Sequence, residues 1–385
     1  MRRDRRRGLA RVPARTGAML VLLMVCGLAA AEDPTTAFPD DGAWSFQVEN
    51  DLFAKGQTDR YYSNGLRVVR SGAMQSLNKA NDGSWSSRSA HWIGDLLCRW
   101  SRCNHDEAWV AADFHGGQNM YTPQELRRPT PYPYDRAYAG WLYLGQRIHL
   151  ADQPDERGEA SRLQSLDIIV GVVGPAAGAG KVQRAWHRLI DATRPEGWGN
   201  QLRNEPTLQV SYTRMHRLGL ATHVDTLPYG RIVAGNVFSH VAIGTHVRVG
   251  TGLGGFASFD PAPAAITTMM RRRASDRQAQ PLAASSRGLG DWHVFAAVEG
   301  RAVARNIFID GNTFRDFPDP SYISRRAFVG DLSMGFSVRF LDRWRLTYGQ
   351  VWRSREFSLD QQPPRGTAPT SDVQRYGVIQ LQYEN

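Results

Sequence analysis

After its N-terminal leader, the sequence lacks any apolar run long enough for a transmembrane helix, and its mean hydropathy is −0.44. A spanning helix needs roughly 20 consecutive apolar residues. The longest apolar run, residues 18–31, has only 14 residues and follows a segment with seven arginines. This order of basic segment, short apolar stretch and small residues predicts a signal peptide cleaved after Ala31. We therefore expect an exported protein, with residues 1–31 removed and residues 32–385 forming one domain.

Strong positive charge is also lacking once the leader is set aside. The full chain has a formal net charge of +10, of which the leader contributes +6, so about +4 remains on residues 32–385. Nucleic-acid-binding domains usually carry a concentrated basic surface. The composition therefore argues against a nucleic-acid partner.

Cysteine is scarce, and one of the three cysteines, Cys26, lies in the leader. Cys98 and Cys103 are close enough in sequence to pair in an oxidising compartment. Their spacing from the nearby histidines, His91 and His105, matches no common zinc site. We predict a local disulfide that stiffens a loop and takes no part in catalysis.

Alternation of apolar and polar residues is abundant along the rest of the chain. Residues 332–340, LSMGFSVRF, place five apolar side chains on one face and Ser, Gly or Arg on the other, which is typical of a half-buried strand. Twelve such segments are predicted, at residues 43–51, 61–71, 108–118, 136–150, 161–173, 204–217, 224–236, 238–251, 290–310, 325–341, 343–357 and 372–384. The segments 72–107 and 252–289 are predicted to be loops.

The apolar face of such strands covers a core in a soluble sandwich and faces lipid in an outer-membrane barrel. Export, long strands, an even strand count and the content of 11 Trp and 13 Tyr favour the barrel. The C-terminal Tyr-Glu-Asn, which does not end on an aromatic residue, favours the alternative of a periplasmic all-β protein. We predict an all-β, antiparallel transmembrane barrel of about twelve strands, with short helices in its outer loops.

Two familiar site motifs are missing. No serine lies in a G-x-S-x-G motif, and GPAAGAGK at residues 174–181 departs from the spacing of a phosphate-binding loop. Residues 180–190 instead predict a short helix on which Gln183, His187 and Asp191 share one face. An amide and a carboxylate beside a histidine can orient it, so His187 is a candidate general base.

A second group of polar residues surrounds the first predicted hairpin, ENDLFAKGQTDRYYSNG. Asn50 and Asp51 end one strand and Ser63 begins the next. Farther along, Thr122-Pro-Gln-Glu125 predicts a helix capping box, with a structural role for Thr122. Counting strands brings this hairpin, the segment leading to Tyr138 and the segment around His187 to the same rim of the barrel.

Two mechanisms are open for such a rim. Oxygen ligands such as Asn50, Asp51, Ser63 and Glu205 suit calcium, and a metal could polarise an ester carbonyl while His187 takes a proton from water. Alternatively, Ser63 could act as a nucleophile with His187 as its base.

Taken together, ENDLFA, TDRYYSNGLR, GQNMYTP, DRAYAGWLYLG, GVVGP with VQRAWH, GWGNQLRNEP, GNVF and VEGRAVARNIFIDGNTF resemble the outer-membrane lipid A 3′-O-deacylase family, often called LpxR-like. The resemblance extends over residues 44–357. It implies a twelve-stranded barrel that removes the 3′ acyl chains of lipid A with calcium, at a site between the barrel wall and a loop helix.

The resemblance also implies roles for individual residues. His187 corresponds to the family's catalytic histidine, and Asn50 and Asp51 to its Asn-Asp pair. Ser63 stands where the family has threonine. The remaining assignments are Gln183 as a further site contact, Asp51, Ser63 and Glu205 as calcium ligands, and Arg136 and Tyr138 as contacts to the substrate. The expected partner is lipid A of lipopolysaccharide, bound by a monomer in the bacterial outer membrane. The alternatives are a pore or adhesin without catalytic activity and an outer-membrane phospholipase.

Overall fold

A computed structural model describes residues 42–53, 61–78, 85–154, 160–251, 253, 255–256, 259, 291–315, 321–341, 343–364 and 373–384. The predicted leader and most of the predicted loop 252–289 lie outside these residues. Twelve long strands dominate the structure, namely β1 (Ala43–Asn50), β2 (Tyr61–Ser71), β3 (Trp109–Thr122), β4 (Ala139–Pro154), β5 (Ala160–Val173), β6 (Glu205–His216), β7 (Val224–Gly235), β8 (Phe238–Gly250), β9 (Trp292–Asn306), β10 (Phe328–Phe340), β11 (Trp344–Arg353) and β12 (Gln374–Glu384).

The strands form a closed antiparallel barrel. Each strand pairs with its neighbours in chain order, and β12 pairs with β1 to close the ring. The predicted fold and all twelve predicted strands are confirmed. We call the end that carries Ala43 and Glu384 the terminal rim, and the end that carries Asn50 and Thr122 the loop rim.

Alternation along the strands separates two surfaces. Apolar side chains such as Leu144, Val170 and Ile243 are exposed on the outside of the barrel, as expected where a strand faces hydrocarbon. The inside is polar and carries buried ion pairs, among them Arg147–Asp167, Arg248–Asp225 and Arg231–Glu299. The described part of the lumen is thus filled with side chains, and one cavity within it measures about 70 Å³, room for a few water molecules.

The described residues include three α-helices outside the strands: α1 (Trp85–Ser101), α2 (Ala179–Leu189) and the short α3 (Ile307–Asp310). No helix among the described residues is long and apolar enough to cross a membrane. The prediction of a loop over residues 72–107 is wrong, because α1 occupies the second half of that segment. The predicted disulfide between Cys98 and Cys103 is confirmed and joins the end of α1 to the residues that follow it.

Candidate active site

The polar residues of the first hairpin lie at the loop rim, on the outer side of the barrel wall. Asn50 is opposite Asn64 in the β1–β2 pairing, and it shares its face of β1 with the partly exposed Phe46 and Val48. Asp51 follows in a short 3₁₀ turn, Asp51–Phe53, and is buried. The end of β1 therefore contributes one amide and one carboxylate to this rim.

Ser63 lies at an irregularity of β2, where the register with β3 shifts between Tyr62 and Asn64. Its hydroxyl is hydrogen-bonded to that of Thr122 at the end of β3. Both residues are buried. The β-bulge turns the Ser63 side chain toward Thr122, since a bulge re-aims the residue that it inserts. We refer to Asn50, Asp51, Ser63 and Thr122 as the rim cluster.

Thr122 corrects one prediction. The capping box at residues 122–125 does not form, because β3 continues to Thr122 and a turn without a helix follows. The backbone N–H of Gln124 donates instead to Asp135 Oδ2 at 2.8 Å. Thr122 is thus the last residue of a strand, with its hydroxyl in contact with Ser63, and not the N-cap of a helix. The strand pattern that continues through GGQNMYT was the sequence signal that could have shown this.

Helix α2 covers the outer face of β3 and β4 next to this cluster. Ala179, at its first turn, packs with Met120 of β3, Tyr138 and Trp198. Gln118, on the same face of β3 as Met120, donates from Nε2 to the carbonyl oxygen of Ala177 at 2.6 Å. Met120 and Thr122 are neighbours on the same face of β3, so the first turn of α2 lies next to the rim cluster.

The side of α2 that faces the wall is polar. Gln183 and His187, one turn apart, are both buried, and Gln183 Oε1 accepts a hydrogen bond from Trp198 Nε1 at 2.7 Å. His187 Nδ1 lies 2.5 Å from the carbonyl oxygen of Thr193. A carbonyl oxygen only accepts, so Nδ1 carries the proton and Nε2 of the neutral ring keeps its lone pair.

Asp191 does not share this face as the sequence predicted. Helix α2 ends at Leu189, and Asp191 lies beyond it, exposed, with a φ of 53°. The opposite face of α2 exposes Val182 and Leu189 rather than burying them. A backbone carbonyl, that of Thr193, therefore orients His187.

Tyr138 lies behind α2. Its hydroxyl donates to the carbonyl oxygen of Leu126 at 2.9 Å, and its ring packs against Trp198 at 5.0 Å between centroids. Trp198 in turn donates to Gln183, so Tyr138 supports the position of Gln183 indirectly. The substrate contact predicted for Tyr138 has no exposed polar atom to make it.

Arg136 occupies a different place from the one predicted. Its side chain is fully buried, pairs with Glu356 at 2.9 Å and lies over the ring of Tyr61. Burial alone would raise the pKa of Glu356, but the guanidinium groups of Arg136 and Arg353 outweigh it and lower that pKa from its usual value. A guanidinium committed in this way is not presented to a phosphate, so the structure does not support Arg136 as a substrate contact.

Glu205 is not brought to the rim cluster. It begins β6, four strands along the wall from β2, which is roughly 19 Å at the usual strand spacing. Its carboxylate accepts hydrogen bonds from the side-chain amides of Asn236 and Asn312 and from the backbone of Thr313. Glu205 therefore holds two loops together and lies apart from the rim cluster.

The rim cluster offers the ligand type that calcium prefers, namely carboxylate, amide and hydroxyl oxygens. It contains one carboxylate, that of Asp51, and no group of three His, Cys, Asp or Glu side chains that could hold a metal occurs among the residues that the structure describes. The donor chemistry fits a calcium ion with few protein charges around it. Asn50, Asp51 and Ser63 are the residues that would hold it.

Comparison with known proteins gives a consistent result. The family model for "Outer membrane protein LpxR" matches residues 18–383. Among solved structures, LpxR from Salmonella typhimurium superimposes with a TM-score of 0.63 at 18% identity, covering 89% of this chain and 100% of that chain. At 18% identity, the similarity to this solved structure shows that the two proteins share a fold.

Other barrels match more loosely. The β domain of the Bordetella autotransporter BrkA has a TM-score of 0.39 at 9% identity, covering 90% of this chain and 99% of its own. The translocator domain of NalP from Neisseria meningitidis has a TM-score of 0.34 at 9% identity, covering 98% of this chain and all of its own. No curated protein sequence matches this chain.

Proposed function

Because this chain belongs to the LpxR family of outer membrane proteins, we propose that it is a lipid A deacylase that hydrolyses the 3′-linked acyl esters of lipid A. The observation that carries the proposal is the buried Gln183–His187 face of α2, a helix whose first turn packs on the outside of the wall at Met120, two residues before Thr122 of the rim cluster. A site on the outside of the wall is reached from the membrane. It therefore suits a substrate that is itself a membrane lipid.

The packed lumen supports this choice over a pore. An apolar cluster inside the barrel joins Tyr62 of β2, Ile169 of β5 and Val351 of β11, whereas a porin keeps its interior open to water. A pore also has no use for a buried histidine on the outside of its wall. Burying His187 and Gln183 rather than apolar side chains costs free energy, which a catalytic role would explain.

In the proposed reaction, His187 acts as the general base. Its Nε2 takes a proton from water while the water oxygen bonds to the ester carbonyl carbon. The bond between that carbon and the sugar oxygen then breaks, and His187 returns the proton to the sugar oxygen. The products are a free fatty acid and lipid A with a hydroxyl group at the 3′ position.

Asn50, Asp51 and Ser63 would hold calcium beside the ester. The chemistry that calcium would supply there is positive charge near the ester carbonyl oxygen, where negative charge develops. Thr122 positions Ser63 through the hydroxyl pair. Gln183, held by Trp198, orients the substrate or water at the same face.

The first experiment compares the lipid A of cells that produce wild type, His187→Ala or Arg188→Ala, by mass spectrometry. Loss of a general base lowers the rate by about 10²–10⁴-fold, so His187→Ala should leave lipid A almost fully acylated. Arg188 is the exposed neighbour on the same helix and should be replaceable without loss. Fully acylated lipid A in wild-type cells would overturn the deacylase proposal, and release of lysophospholipids instead would identify a phospholipase.

A second experiment separates the two possible roles of Ser63. If Ser63 binds calcium, Ser63→Ala should need more calcium and recover much of its activity when calcium is raised. His187→Ala should not recover, and a chelator should inactivate wild type. Equal losses in both variants that calcium does not restore would favour Ser63 as the nucleophile.

A further inference from the structure

Helix α1 lies flat on the outside of the barrel near the terminal rim. Val110 of β3 and Ile148 and Leu150 of β4 point outward by strand alternation, yet all three are buried. They are covered by Ala90 and Leu97 of α1, with which they form one apolar cluster. The barrel wall therefore has a helix docked on the surface that elsewhere faces lipid.

Two glutamines fasten this helix to the wall. Gln146 of β4 donates from Nε2 to Ser89 Oγ at 2.7 Å, and Gln164 of β5 donates to Ser101 Oγ at 2.9 Å. Both glutamines are on the outward face, where an amide without a partner would be costly in hydrocarbon. The serines near the two ends of α1 satisfy these amides, so the helix and the wall match each other along most of the helix.

The side of α1 that faces away from the barrel carries three large apolar side chains. Trp92, Leu96 and Trp100 follow one another at four-residue spacing and are 71%, 54% and 67% exposed. Trp100 also contacts Tyr212 of the wall, with ring centroids 5.1 Å apart. Three large exposed apolar side chains in one stripe exceed what an aqueous surface usually carries. We call Trp92, Leu96 and Trp100 the α1 stripe.

This stripe continues the lipid-facing surface of the barrel. Gln146, which holds α1, is two residues from the exposed Leu144 on the same face of β4. Arg88 and Arg99 are exposed on α1 near the stripe. Arg99 forms a 2.9 Å ion pair with Asp95, one turn earlier, but its side chain is 77% exposed, so its remaining N–H groups, like those of Arg88, can donate to a lipid phosphate. Tryptophan is enriched at the boundary between headgroups and acyl chains.

We propose that α1 is a membrane-surface helix whose stripe inserts into phospholipid, with Arg88 and Arg99 at the level of the headgroup phosphates. A helix that lies in the interface plane buries its apolar face at the boundary of headgroups and acyl chains. The proposed function puts the lipid A leaflet at the loop rim, so α1 at the terminal rim meets the phospholipid leaflet. Only this choice of leaflet rests on the proposed function.

Photo-crosslinking tests the contact directly. The photoreactive residue p-benzoyl-phenylalanine replaces Trp92, Leu144 or Glu107 in the full-length protein, which is reconstituted into vesicles of phosphatidylethanolamine and phosphatidylglycerol. Leu144 on the barrel wall is the lipid-facing control, and Glu107, exposed beyond the disulfide, is the control at an ordinary polar surface. Irradiation should give phospholipid adducts at positions 92 and 144 and at least tenfold fewer at position 107.

Adducts at position 144 without adducts at position 92 would overturn the proposal, because the barrel would then be in the bilayer with the stripe outside it. Crosslinks from position 92 to a second protein molecule would also overturn it and make the stripe a protein interface. In intact outer membranes, position 92 should capture phospholipid, and capture of lipid A would refute the leaflet assignment. Acylation of lipid A in the same cells reports on the deacylase proposal separately.

Discussion

Helices α1 and α2 lie on the outer surface of the same two strands, β3 and β4, one toward each rim, and they bury opposite kinds of side chain. Helix α1 buries Ala90 and Leu97 against apolar residues of the wall. Helix α2 buries Gln183 and His187. Both expose apolar residues outward, Trp92 on α1 and Leu189 on α2, which suits helices surrounded by lipid.

The difference separates a structural helix from a functional one. The polar contacts of α1, Gln146–Ser89 and Gln164–Ser101, connect it to the wall and are complete within the protein. In α2 the polar side chains are individually held, Gln183 by Trp198 and His187 by the carbonyl of Thr193. Positioned polar groups of this kind are the expected arrangement of a preorganised active site.

The largest effect on deacylation is expected from a substitution that moves α2 away from the barrel wall. Gly140 of β4 has no room for a side chain, because an added Cβ would overlap the Cβ of Ala179. Overpacking costs about 1–3 kcal/mol, and a shift of the base by about 1 Å can lower the rate by about 10²-fold. Gly140→Ala should therefore lower the deacylation rate by roughly 10–100-fold.

Heat-dependent gel mobility should show that the Gly140→Ala barrel still folds, because the strand pairings do not involve this contact. Lipid A mass spectra over time give the rate. Wild-type activity in this variant would mean that the position of α2 against the wall is not needed for catalysis.

Removing the disulfide should affect α1 alone. In the chain-entropy model, the disulfide between Cys98 and Cys103 stabilises the folded segment by about 2 kcal/mol. Its removal should therefore raise the population of molecules in which α1 is locally unfolded by roughly thirtyfold. The Cys98→Ser/Cys103→Ser variant should be cleaved faster by protease within residues 85–107. Lipid A deacylation should be unchanged, since α2 and the rim cluster are at the other rim. A parallel loss of activity would show that the two helices are coupled.

The strands were predictable because their two faces meet different surroundings, lipid outside and polar side chains inside, so alternation persists along nearly every one. Strand parity then brought Asn50, Ser63 and His187 to one rim without any contact being known. Helix α1 was missed because residues 72–107 are rich in Ser, Arg, Ala and Gly, a composition typical of loops. The helical signal was present, since Trp92, Leu96 and Trp100 recur at four-residue spacing.

The individual side chains that sequence reasoning misplaced depend on partners far away in the chain. Arg136 is buried at the loop rim in an ion pair with Glu356, 220 residues later. Glu205 is held by Asn312 and Thr313, more than 100 residues later. A local sequence pattern cannot predict pairs between residues so far apart in the chain. Thr122 shows the same limit at short range, since strand pairing overrode a local capping signal.

The smallest effect is expected at the glycine that α1 presents to the wall. An added Cβ at Gly94 would lie 3.2 Å from Leu77 Cδ1 and from Val110 Cγ1, so these side chains would have to move by a few tenths of an ångström. Alanine favours a helix over glycine by about 1 kcal/mol, which offsets the crowding. Gly94→Ala should thus change the free energy of local opening of α1, measured by its rate of proteolysis, by less than about 1 kcal/mol. Deacylation should continue at the wild-type rate. If Gly94→Ala impaired deacylation as much as Gly140→Ala does, the contrast between a structural α1 and a functional α2 would not hold.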